Sequence, residues 1–163
     1  MDGKLRNMTS IYLYDDNNKV LLLYRVGSRV VNNAYIGTAG GHFEKEELND
    51  AKKCILRELY EEVGVTTDDI TEPELRYVTL RYKKGEIRQN YYFFAKLINK
   101  DKVIKSNEGE LKWFDYSETE EINMPHTAKY VLQHYIKEGR KNNKLYGGVA
   151  IPSGIEFTEL NEF

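Results

Sequence analysis

Apolar positions along this chain fall into short runs first and into a helical period later. Thr9–Tyr14 (TSIYLY) and Lys19–Arg25 (KVLLLYR) read as β-strands. Asp15-Asp16-Asn17-Asn18 between them is turn chemistry, so the pair reads as a hairpin. Gly27 to Asn33 reads as a polar loop, and Tyr35 to Gly41 (YIGTAGG) as a short strand that ends in glycines. The period then changes. Ala51, Ile55, Leu59 and Val63 recur at every fourth position, and Leu48 and Leu56 widen the stripe, which predicts an amphipathic helix. Asn49 is placed to cap its start, and Gly64 stands where a left-handed C-terminal cap belongs. Leu75–Tyr82 and Ile87–Ile98 read as two long strands around Lys83-Lys84-Gly85-Glu86, and Glu110–Asp115 as a shorter one. Pro125 opens a second helix with Ala128, Val131, Leu132, Tyr135 and Ile136 on one face, ended by Gly139. Leu145 to Leu160 alternates weakly and adds an edge strand. The order β-β-β-α-β-β-β-α-β mixes both element types, so the expected class is α/β (α+β), a sheet flanked by helices, in a single domain over residues 1–163.

Composition narrows the picture modestly. Hydrophobic residues make up 40% and charged residues 31%, as in an ordinary soluble domain. No apolar run approaches the roughly 18 residues of a membrane span, and Met1 to Ser10 lacks a secretory signal. The single Cys, Cys54, excludes an intramolecular disulfide and fits a reducing cytosol, so a cytoplasmic location is expected. The formal net charge is −2 with scattered basic residues, which argues against a partner that is polymeric DNA or RNA. A small charged ligand held through metal needs no basic stripe. The 13 tyrosines read mainly as strand residues packing on a half-buried sheet.

The first helix carries a second pattern on its other side. Glu58, Glu61 and Glu62, in RELYEEVG, are related by i, i+3 and i+4 and share one face. Like charges so placed repel in an exposed helix, and a divalent cation turns that repulsion into binding. Hard cations such as Mg²⁺ take oxygen ligands and keep several waters. A Glu-rich helix face is most often plain solvated surface, but here the context differs. Gly40-Gly41 ends the preceding strand, where glycine permits a close backbone approach and a main-chain carbonyl can join the coordination sphere. Arg57 stands beside the glutamates, and its fork can pin a carboxylate. His42, His126 and His134 are too dispersed for a metal site. His134 and Cys54 read as packing residues.

The stretch Gly41 to Val65, GHFEKEELNDAKKCILRELYEEVGV, resembles the Nudix box. The family pattern is a Gly, five residues, a Glu, seven residues, then Arg-Glu-apolar-x-Glu-Glu-x-Gly-apolar. Its second half is matched at Arg57, Glu58, Leu59, Glu61, Glu62, Gly64 and Val65. Its first half departs, because nine residues rather than seven separate Glu47 from Arg57, as a two-residue insertion before the helix. Downstream, Asn107-Glu108-Gly109-Glu110-Leu111-Lys112-Trp113 resembles the segment in which the family carries a distal glutamate, making Glu108 the counterpart and Glu110 the competitor. The resemblance covers roughly residues 8 to 136 in element order.

What the resemblance implies is an α/β/α sandwich around a mixed sheet, and Mg²⁺-dependent hydrolysis (Mn²⁺ also fits) of a diphosphate bond in a nucleoside diphosphate-linked substrate. By position, Gly40, Glu58, Glu61, Glu62 and Glu108 are the implied metal site, and Arg57, Glu58, Glu61 and Glu108 the implied catalytic set. Arg57 orients a glutamate, with Glu44 a candidate ion-pair partner, and Glu108 and Glu58 are both open as the base. The leading substrate is a nucleoside triphosphate, ordinary or oxidised, as in MutT-like pyrophosphatases. ADP-ribose, nucleotide sugars and dinucleotide polyphosphates form the alternative, and a silent nucleotide-sensing domain a third. Many members are homodimers, which makes a second copy an expected partner.

Overall fold

A computed structural model describes residues 1–26 and 33–163. Among these described residues nine strands and two α-helices follow in the order β1 (Lys4–Tyr14), β2 (Lys19–Arg25), β3 (Ala34–Ile36), β4 (Ala39–His42), α1 (Ala51–Val63), β5 (Glu74–Lys83), β6 (Glu86–Lys96), β7 (Gly109–Asp115), α2 (His126–Lys137), β8 (Tyr146–Ile151) and β9 (Gly154–Glu159). Most of the predicted Gly27 to Asn33 loop lies outside the described residues.

One mixed sheet carries all the strands, in the order β3-β2-β1-β6-β5-β8-β9, with β4 pairing β1 and β7 pairing β2. β1 runs parallel to β6 along its whole length, from Lys4↔Glu86 to Tyr14↔Lys96. On its other side β1 is shared, with Met8 to Ile11 pairing β4 and Leu13 and Tyr14 pairing β2. The sheet therefore forks beside β1, and the fork opens a cleft.

Each helix covers one face. Because side chains alternate along a strand, Ile11 and Leu13 of β1 join Phe93 and Ala95 of β6 under Ile55, Leu59 and Val63 of α1. Tyr12, Tyr92 and Phe94 point the other way and pack with Tyr77, Val131, Leu132 and Tyr135 under α2. Phe94 stacks on Tyr135 with ring centroids 3.7 Å apart. This is the expected α/β/α sandwich.

Four expectations need correction. The segment read as one strand, Tyr35 to Gly41, is two, β3 on β2 and β4 on β1, broken at Gly37-Thr38. The buried Thr38 hydroxyl donates to the Leu21 carbonyl and accepts from the Leu13 N–H, tying the break to both neighbours. The helix cap is Asp50, whose carboxylate accepts from the Lys53 N–H, rather than Asn49. Leu48 precedes the helix and is exposed, so it does not widen the apolar stripe. The last segment forms two strands, β8 and β9, with β8 parallel to β5 and β9 at the edge. Gly64 caps α1 in the left-handed conformation as expected, at φ 69°.

Candidate active site

The site is built from the C-terminal half of α1 against the glycines of β4. The Glu62 carboxylate accepts a hydrogen bond from the Gly40 N–H at 3.2 Å. Glu58 lies across Gly41 so closely that a β-carbon there would overlap its carboxylate, and one on Gly40 would overlap the Thr9 carbonyl. The Gly-Gly pair is thus a packing requirement, a bare shelf on which two carboxylates rest. Both are partly buried, and burial is the main reason each is harder to ionise. Glu58 is raised above the ordinary carboxylate range, and Glu62 is pushed up to about 7, helped by its neighbours Glu58 and Glu108.

Arg57 organises the near side. Its Nε donates to Glu47 Oε1 at 2.6 Å and its Nη2 to Oε2 at 3.0 Å, a bidentate pair. Nη1 reaches Glu58 at 2.9 Å and Glu61 at 3.0 Å, and Nη2 also donates to the His42 carbonyl. Glu44, the partner expected for Arg57, stands 3.8 Å off and is exposed. The stronger partner is Glu47, at 2% exposure the most buried acid of the box, and the Arg57 fork holds its carboxyl down at about 2. The two-residue insertion leaves this pair intact. A short 3-10 turn, Lys45–Glu47, folds Glu47 back under the helix, with its carboxylate also accepting from the Glu44 N–H.

The remaining predicted residues take separate places. Glu61 is exposed and held by Arg57. Glu108 pairs with Arg25 of β2 at 2.9 Å, near enough for both to influence Glu62. Glu110 is also exposed, paired across from Tyr24. Among the described residues no three His, Cys, Asp or Glu side chains converge to hold an ion by themselves. The donor set nevertheless fits a hard dication, because Glu58 and Glu62 are two half-buried, mutually repelling oxygen donors. Mg²⁺ needs only one or two carboxylates when water and phosphate oxygens complete its shell. Cys54 is fully buried with its sulfur 3.3 Å from the Thr9 hydroxyl, and burial pushes its thiol up to about 11, so it packs. His134 bonds the Tyr77 hydroxyl at 2.8 Å inside an aromatic cluster.

From this shelf a cleft of about 850 Å³ runs over β1, β6 and β5 toward α2, within the range that holds a nucleotide-sized ligand. Glu58 and Glu62 line one end. Met8, Tyr92, Ile36 and Met124 supply apolar walls, and Arg81, Lys83, Arg88 and Asn90 a polar stretch of floor. The helix period revealed the first group. No motif or period in the sequence singles out the second, although Arg88, Asn90 and Tyr92 alternate in one strand and so share a face.

A NUDIX domain profile matches residues 4–135, and the chain belongs to that family. A MutT protein from Bacillus halodurans superposes with a TM-score of 0.66 at 22% identity, over 93% of this chain and 97% of that one. A MutT protein from Methanosarcina mazei gives 0.70 at 16%, over 86% and 99%. These two likenesses concern the fold. A hamster (Mesocricetus auratus) protein, isopentenyl-diphosphate Delta-isomerase 1, is 27% identical over 135 residues, 74% of this chain. The chain spans 58% of that relative's length. Among the described residues no helix is long and apolar enough to cross a membrane.

Proposed function

We propose that this protein is a Mg²⁺-dependent pyrophosphohydrolase acting on a small nucleotide, with a nucleoside triphosphate converted to monophosphate and pyrophosphate as the leading reaction. The observation that carries the reading is the pair Glu58 and Glu62, half-buried on the Gly40-Gly41 shelf at the mouth of a nucleotide-sized cleft. Membership of the Nudix family supports the hydrolase class.

Glu58 and Glu62 would hold the metal, and Glu61 and Glu108 are adjacent carboxylates that a second ion or a water could recruit. When bound, Mg²⁺ lowers the pKa of water and neutralises charge growing on phosphoryl oxygens. Arg57 fixes the rotamer of Glu58 and itself cannot wander, because Glu47 grips it from beneath. Glu58 and Glu108 are both candidates for the base, and Glu108 is held in place by its ion pair with Arg25. Gly40 in this fold offers its N–H to Glu62, and because a strand residue's N–H and C=O point to the same side, its carbonyl is a candidate ligand beside that carboxylate.

The test is incubation with Mg²⁺ and a panel of ordinary and oxidised dNTPs, ADP-ribose, nucleotide sugars, dinucleotide polyphosphates and isopentenyl diphosphate, with products resolved by chromatography. Monophosphate plus pyrophosphate from a triphosphate supports the leading reading. Cleavage of only the other nucleotides moves the substrate. Rearrangement of isopentenyl diphosphate with no cleavage anywhere refutes the hydrolase class. Glu62→Gln is expected to lower kcat at least 100-fold with the circular dichroism spectrum unchanged.

A further inference from the structure

The floor of the cleft carries more positive charge than the fold uses. Arg81 of β5 pairs across from Arg88 of β6, and Arg88 is itself the neighbour of Arg6 on β1, so three guanidinium side chains stand in one row of the sheet. Lys83 follows on the same face of β5. Like charges directly across strands destabilise a sheet. One carboxylate answers them, Glu86, at 3.7 Å from Arg6 and 3.6 Å from Arg88. Among the described residues Arg81 makes no ion pair, and the repulsion of Arg81 and Arg88 depresses the Lys83 ammonium. Two buried polar atoms beside this row lack any partner among the described residues, the Arg88 Nε and the Asn90 Oδ1. Asn90 spends its Nδ2 on the Tyr92 hydroxyl at a long 3.3 Å. Turning the amide over lets Tyr92 donate to the oxygen and puts the NH₂ where the unpartnered oxygen stood, so the same cleft-lining side chain becomes a donor.

We propose that Arg81, Lys83 and Arg88, with Asn90, form a second anionic subsite that takes a phosphate monoester on the substrate, remote from the diphosphate to be cut. The subsite deepens the hydrolase reading and rests on it for the identity of the other end. β4, which carries the carboxylate shelf, and β5 are separated by β1 and β6, and Gly40 pairs with Ser10 whereas Arg88 pairs with Arg6, so the two ends stand three strand spacings across the sheet and four residues along it, on the order of 19 Å. That span exceeds a triphosphate chain and places the second phosphate beyond the nucleoside or on the group linked through the diphosphate. Arginine forks, unlike the carboxylate shelf, bind phosphate oxygens without metal.

The first measurement is calorimetric titration of the metal-chelated protein with inorganic phosphate. Saturable binding is expected, weakened at least tenfold in Arg81→Gln/Arg88→Gln and at least threefold in Lys83→Gln, an exchange at a half-exposed position that spares the fold. Glu62→Gln is expected to retain it. The second is hydrolysis of ADP-ribose against 2′-phospho-ADP-ribose with Mg²⁺. The phosphorylated member is expected to have a KM at least tenfold lower, an advantage lost in the double variant with kcat retained. No saturable phosphate binding, or equal affinity in the variants, overturns the subsite and leaves the hydrolase reading standing. Phosphate binding that follows the arginines, in a protein that cuts nothing, keeps the subsite and overturns the hydrolase reading.

Discussion

Glu47 shows how much one buried side chain can set. Removing its charge leaves the Arg57 guanidinium with its closest partner neutral, and breaking one half of a buried ion pair costs ~3 kcal/mol. Glu47→Gln is therefore expected to lower stability by about that amount in chemical denaturation, and kcat by ~10-fold or more because Glu58 loses its rotamer lock. Glu62 acts in the opposite sense. A carboxyl raised to about 7 stabilises the metal-free fold below its unfolded value near 4.5, and that contribution is lost as pH rises through about 7. Mg²⁺ must displace this proton, so its affinity is expected to rise between pH 6 and 8 in calorimetry, and Glu62→Gln to flatten the metal-free stability profile. Asp69 supplies the acid-side control far from the site. Hydrogen bonds from the Thr66 N–H, Asn99 and Lys102 hold its carboxyl at about 2. That contribution is present above the usual carboxylate value and lost as pH falls from ~4 to ~2, so Asp69→Asn is expected to cost ~2 kcal/mol at pH 7 and to flatten the acid limb.

At the scale of elements, the helices and long strands were legible because their apolar positions have the right period. β2 has the bounds predicted for it, Lys19–Arg25, and α1 carries Ile55, Leu59 and Val63 inward with the acids outward. What escaped was local and glycine-rich. The Tyr35 to Gly41 run has too few side chains to announce that it changes partners, and Thr38, the residue that marks the break, is a buried hydroxyl bonded to two strands distant in sequence. β8 contains Gly147-Gly148, which blunts the alternation that would have announced a hairpin. At the site, the carboxylates on α1 were readable from spacing, whereas the fate of Glu47, the Arg25–Glu108 pair and the basic floor depended on register between segments far apart in sequence. The shelf offers an element-level test. Gly41→Ala is expected to displace Glu58 and weaken Mg²⁺ binding at least tenfold, with α1 still formed by circular dichroism.

For the molecule as a whole, metal and fold are linked through α1, which belongs to both the site and the core. Mg²⁺ at about tenfold its Kd should add ~1.4 kcal/mol and raise Tm by ~3–5 °C, an increment absent in Glu62→Gln. The forked sheet has one further consequence, in time rather than in space. β1 is paired on both sides, yet its parallel partner β6 lies about 80 residues further along the chain. A pairing of such long range is slow to close. During synthesis the apolar strand Ser10–Tyr14 must therefore wait, unpaired on that side, until β6 has left the ribosome, and this interval is when the nascent chain is most exposed to association with its neighbours.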